Sequence, residues 1–211
     1  MPSQDKKTRK SKGRQAILEA AEALFAEQGC RAVSLNQINQ AANQKNTAAL
    51  HYHFGSREAL LDEIIEEHSA LAQSELQLLL EQMKPPVSIR DFVACSVTPY
   101  LRKLDDVRGA RYLQIMAQLN SESTNLALIP RREDLRSLSL KLIGKQLGDL
   151  RPQSIYPRMI AYSLLLVNEL CLVSRMSPRE IRQVFGGKKM FREHLITTLT
   201  TVLSSPEPGA D

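Results

Sequence analysis

Ser34–Phe54, SLNQINQAANQKNTAALHYHF, is the stretch that most constrains this chain. It reads as two short helices around a tight polar turn. Ser34 is placed to cap the first, with Leu35, Ile38, Ala41 and Ala42 facing inward and the amides Asn36, Gln37, Asn39 and Gln40 outward. Asn43–Lys45 forms the turn, Asn being one of the few non-glycine residues that tolerate left-handed geometry. Asn46 caps the second helix. At about 100° per residue, Leu50 and Phe54 share a core face there. Ala48, Ala49, His51 and Tyr52 face outward. This is the outline of a helix-turn-helix, the unit that sets a recognition helix in a DNA major groove.

Helical periodicity continues on both sides. Ile17, Ala20, Ala21, Leu24 and Phe25 make one apolar stripe over Gln15–Gln28, and Gly29 ends it. Ser56 caps a long helix reaching about Met83, which carries seven acids and no Lys or Arg between Glu58 and Glu81. Pro85–Pro86 stops it. Ser88 with Asp91 resembles a capping box for a helix over Ile89–Leu104, kinked at Pro99. Further helices are expected over Ala110–Asn120, Leu135–Leu150, Arg158–Arg175, Pro178–Phe185 and Met190–Leu203. Loops are expected at Ser121–Leu128 and Pro152–Pro157. No strand signal appears, so the fold class is all-α. The expected organisation is a basic arm over 1–12 with no structure of its own, a helix-turn-helix domain over 13–60 and a larger helical regulatory domain over 61–204. A disordered tail follows over 205–211.

Charge divides the chain along the same line. Residues 1–57 hold nine Lys/Arg and four Asp/Glu, an excess of five; the remainder holds nineteen of each. The whole net charge of +5 therefore travels with the helix-turn-helix. A polyanionic partner is the natural reading, although a solvated basic tail has the same signature. The hydrophobic fraction of 43% suits a packed core. No apolar run near 18 residues is free of polar groups, so no membrane span is expected. The basic N-terminus lacks the apolar segment of a signal peptide, and a cytoplasmic protein is expected. Cys30, Cys95 and Cys171 lie far apart with no CxxC pair, which argues against a zinc site. His51 and His53 diverge by about 200° on a helix and cannot share a metal. No catalytic motif stands out, and neither an enzyme nor a cofactor is expected.

The segments ILEAAEALFAEQG, SLNQINQAAN and LHYHFGSREALL, within Ile17–Leu61, resemble the TetR family of bacterial transcriptional regulators. The resemblance covers about a fifth of the chain closely. It implies that Ser34 caps a helix beside phosphate and that Thr47, Ala48, Ala49 and His51 line the major-groove face. It also implies that Tyr52 and His53 touch the backbone and that Arg57 stands where a Lys near phosphate is common. From the residues themselves, Lys45 and Asn46 join Thr47 and His51 at the reading end. Two departures are visible: Asn43 replaces the usual turn glycine in a turn one residue longer, and the groove face lacks an arginine.

The expected function is a sequence-specific DNA-binding regulator, a repressor that meets a palindromic double-stranded operator as a homodimer and is released by a small molecule. The alternative is a helical small-molecule-binding or adaptor protein whose basic arm meets an acidic partner. Phe92, Ser96, Tyr100, Tyr112, Gln114 and Met116 are the candidate pocket lining. Leu165, Asn168, Leu172, Leu195 and Leu199 are the candidate dimer face. Asn168 and Glu169 interrupt an apolar helix, where they could set pairing register, line a pocket or form a solvent-facing strip.

Overall fold

A computed structural model describes residues 3–43, 54–122 and 152–205. Eight α-helices are seen among them: α1 Ser3–Gln28, α2 Leu35–Ala41, α3 Arg57–Glu81, α4 Ile89–Arg102, α5 Val107–Glu122, α6 Pro152–Ser174, α7 Pro178–Phe185 and α8 Lys188–Ser204. A 3₁₀ turn, Lys103–Asp105, joins α4 to α5. No strand occurs among the described residues.

Most helix ends lie where the local chemistry sets them. Ser34 caps α2 and Ser177 caps α7, each in a reciprocal box with Gln37 or Glu180. Ser56 accepts from the Ala59 amide and Ser88 from the Asp91 amide. Gly186 closes α7 at φ 78°, a conformation glycine adopts without cost. Asn43 takes φ 51° at the end of α2, the left-handed geometry its residue type suggested. The Pro85–Pro86 bond is cis.

Several expectations are corrected. The basic arm forms the first turns of α1, because Lys, Arg and Gln extend readily from a helix already nucleated by its packed half. Pro152–Pro157 is the start of α6 and not a linker. Pro152 occupies a first-turn position, and Pro157 removes one backbone bond near the helix start. On α2, Asn39 is buried and Ala41 exposed. The face shared by Leu35, Ile38 and Ala42 lies nearer in angle to residue 39 than to residue 41. The helix expected over Leu135–Leu150 and the C-terminal tail lie outside the described residues. One stretch, Pro157–Ser174 in α6, is apolar and long enough to cross a membrane, at a mean hydropathy of 1.2. One face of it enters the second core, burying Tyr162, Leu166, Val167, Leu170 and Val173.

Two apolar cores result. The first gathers Ile17, Leu18, Phe25, Ile38, Phe54, Leu60 and Ile64 from α1, α2 and the start of α3. The second gathers the far half of α3 with α4, α6, α7 and α8. Two helices serve both. Along α3 the buried row runs Leu60, Ile64, His68, Ala72, Leu76, Leu80, one residue in every four. Along α5, Ile115 enters the first core while Tyr112, Leu113 and Met116 enter the second. Gly109 lets α5 lie against the 3₁₀ turn: a Cβ there would come within 2.7 Å of the Lys103 Cα.

Candidate nucleic-acid interface

The site is built around the capped start of α2. Ser34 has extended backbone, φ −92° and ψ 156°. Its hydroxyl donates to Gln37 Oε1 at 2.7 Å, and its backbone N–H donates to the same oxygen at 2.9 Å. Asn36, Gln37 and Gln40 are exposed, leaving an uncharged amide surface. Gln37 is also engaged sideways, its amide donating to Gln28 Oε1 at 3.4 Å.

On the other side of the turn, Phe54 is buried in the first core and Gly55 reverses the chain at φ 74°. Arg57 follows at the start of α3. It donates to Glu58 Oε1 through Nε and Nη2 at 3.0 and 2.7 Å, and through Nη1 to the Cys30 carbonyl. The guanidinium holds the Glu58 carboxyl below its ordinary value. Arg57 is therefore a clasp between α3 and the end of α1 before it is a phosphate contact. Arg14 plays a similar part, lying 5.3 Å over the Phe54 ring and pairing with Glu63.

Lys45, Asn46, Thr47, Ala48, Ala49, His51, Tyr52 and His53 lie outside the described residues. On either side of them Asn43 takes φ 51° and Phe54 is buried.

Behind this head stands a polar cluster that sequence reasoning missed. Glu22 on α1 is fully buried, and Arg108 on α5 donates to its Oε2 through Nε and Nη2 at 3.0 and 2.9 Å. Arg108 also donates to Glu67 at 3.0 Å. His68 Nε2 stands 3.4 Å from the same Glu22 oxygen, and its Nδ1 stands 3.3 Å from Lys103 Nζ. Lys103 donates to the His68 carbonyl at 3.2 Å and lies 4.7 Å over the Tyr112 ring, which stacks on His68. Lys103 Nζ can only donate, so Nδ1 is placed to accept from it and Nε2 to donate to Glu22. The signal was present in the sequence: Glu22 and His68 are the polar members of otherwise apolar helical rows. What it pointed to, a partner 46 residues away, was not local.

Of the candidate pocket residues, Phe92, Tyr100, Tyr112 and Met116 lie together in the second core. Tyr112 belongs to the cluster just described and shares a hydrogen bond with the Ser69 hydroxyl at 3.1 Å. Ser96 donates to the Val93 carbonyl and is bonded to the Tyr162 hydroxyl at 2.6 Å. Gln114 donates to Ser174 at 3.3 Å. Burial pushes the Tyr112 hydroxyl up to about 12, and raises Tyr100 and Tyr162 as well. On the candidate dimer face, Leu195 and Leu199 are fully buried against α4 and α6 within the chain, and are not available to a second copy. Leu172 is 56% exposed, Asn168 is exposed, and Leu165 is half-buried. The three cysteines are free thiols; burial pushes Cys95 up to about 11 and also raises Cys171, which keeps both protonated near neutrality.

Residues 17–64 match the model for bacterial regulatory proteins of the tetR family. A bacterial regulatory protein in the tetR family from Rhodococcus RHA1 is similar in structure at 20% identity, covering 92% of this chain and 98% of that one, with a TM-score of 0.57. A TetR-like transcriptional regulator from Rhodococcus sp. RHA1 is similar at 15% identity, covering 90% and 93%, with a TM-score of 0.57. A ketosteroid transcriptional regulator of Mycobacterium tuberculosis is similar at 19% identity, covering 90% and 92%, with a TM-score of 0.54. No curated protein sequence matches the chain. What these structures share with this chain is the fold, a helical N-terminal head on a larger helical body. Residues 17–64 are similar to the N-terminal domain of the tetR family.

Proposed function

We propose that the chain is a homodimeric repressor that reads a palindromic operator and leaves it when a small molecule binds. The observation that carries this reading is the match of residues 17–64, in a chain whose excess positive charge lies within residues 1–57, mostly in the arm before the matched segment. In this reading Lys45, Asn46, Thr47 and His51 meet base edges or phosphates at the helix's leading half. Ala48 and Ala49 let the backbone approach closely, and Ser34, Tyr52, His53 and Arg57 meet the sugar-phosphate walls. Without an arginine on the reading face, bidentate guanine readout gives way to methyl contacts and DNA shape. The dimer face is built from α6 and α8, where Leu172 and Met190 are exposed apolar residues at the surface.

Repression and release are two faces of one coupling. A ligand that prefers a dimer with misplaced heads weakens DNA binding by the factor that DNA weakens the ligand.

Selection of bound fragments from genomic DNA across a salt series tests the proposal. The expected result is enrichment of a palindrome with half-sites about one helical turn apart, and affinity falling steeply with salt. Equal retention of all fragments, or of none, would count against it.

A further inference from the structure

At the end of the body nearest the 3₁₀ turn, a cavity of about 430 Å³ opens between the C-terminal ends of α4 and α6, α7 and the start of α8. This volume lies within the range of about 300–1,000 Å³ typical of small-molecule sites. Leu101, Val173, Ile181 and Phe191 give it an apolar wall. Arg102, Lys188 and Arg192 stand around it, with Asp105 the one acid among its lining residues. Lys188 and Arg192 are one helical turn apart on α8, so they share a face.

The cations hold partners they can exchange. Lys188 pairs with Asp105 at 3.1 Å, both about two-thirds exposed. Arg192 pairs with its neighbour Glu193 at 3.5 Å, and Arg102 with Glu75 at 2.5 Å. Exposed pairs of this kind are worth little in water, and a ligand carboxylate can compete for their cations. A purely apolar ligand would make no use of these exchangeable cations, and a fully polar anion would leave the wall unused.

We propose that this cavity binds a small organic anion: a carboxylate held by Lys188 and Arg192, carrying an apolar body against Leu101, Val173, Ile181 and Phe191. The site has a direct mechanical neighbour. Leu104 and Asp105 line the cavity, while Lys103 of the same turn enters the Glu22–His68 cluster behind the head. Occupancy of the cavity therefore bears on the head through three consecutive residues; only this last consequence rests on the DNA-binding reading.

Calorimetric titration of the full chain, without DNA, with octanoate and with 1-octanol tests the site. Octanoate should bind at least about tenfold more tightly, as a charge-assisted bond predicts. The double variant Lys188→Gln/Arg192→Gln should lose that preference and keep its affinity for 1-octanol. Because both side chains lie at the surface, the variant should fold, which circular dichroism checks; Arg192→Gln alone, with a smaller loss, serves if it does not. Equal affinity for the two probes in the unaltered protein, or a preference for octanoate that survives both substitutions, overturns the proposal. Failure of DNA selection leaves this titration untouched, so the two readings fail separately.

Discussion

Lys103 is a cation placed where few cations are found, buried and facing a histidine and an aromatic ring. Burial lowers its amino group below the ordinary 10.5, outweighing the nearby acids Asp106, Glu75 and Glu22. The folded protein therefore holds this proton less tightly than the unfolded chain does. Between the lowered value and 10.5 the unfolded chain binds more protons, so this group's contribution to stability rises with pH across that window. Below the window its cost is present in full. Lys103→Met keeps the length of the side chain and removes the proton. Thermal unfolding from neutral to alkaline pH should show the variant gaining on the unaltered protein at neutral pH, with the gap closing as pH rises. A gap independent of pH would mean that Lys103 holds its proton equally tightly in the folded and unfolded states.

Single helices were legible where a local rule decides them. Ser34, Ser56, Ser88 and Ser177 announce their caps, and Gly186 announces a stop, because capping is settled within three or four residues. The head was legible for the same reason, as its stripe and its turn are short-range patterns. What was not legible depends on contacts between distant segments. Asn39 was read as outward because one wheel cannot show where a neighbouring helix leans. Leu195 and Leu199 were read as a partner surface, yet α4 packs there first. Gln118 is a further case. From α5 its amide donates to the Phe25 and Ala26 carbonyls at 3.1 and 3.2 Å, and its oxygen accepts from the Cys30 amide at 3.0 Å. It satisfies the free end of α1 from about ninety residues away. Gln118→Met preserves volume but leaves those groups without that partner. A loss of about 1–3 kcal/mol is expected by urea denaturation, and an unchanged midpoint would show that water replaces the amide at no cost.

At the scale of the whole molecule, the proposed dimer would form through the outer surface of α6 and α8. Leu172 and Met190, each 56% exposed, are apolar side chains that gain by being covered. Leu172→Glu with Met190→Glu should leave the subunit folded, since neither side chain belongs to a core. In sedimentation the unaltered chain is expected to run as a dimer and the variant as a monomer. Its affinity for the palindrome should fall by about a hundredfold or more, since two tethered heads bind far more tightly than one. A variant that remains dimeric would move the interface away from this face.

The buried row on α3 has a mechanical meaning. Four residues turn a helix by about 400°, so a row with one buried member in every four winds about 40° further round at each step. From Leu60 to Leu80 it winds through about 200°. The head grips this rod on one side and the body grips it on nearly the opposite side, with His68 midway. Held this way, the rod acts as a torsion bar: a body that rolls around α3 must either tear its own buried row or carry the head round with it.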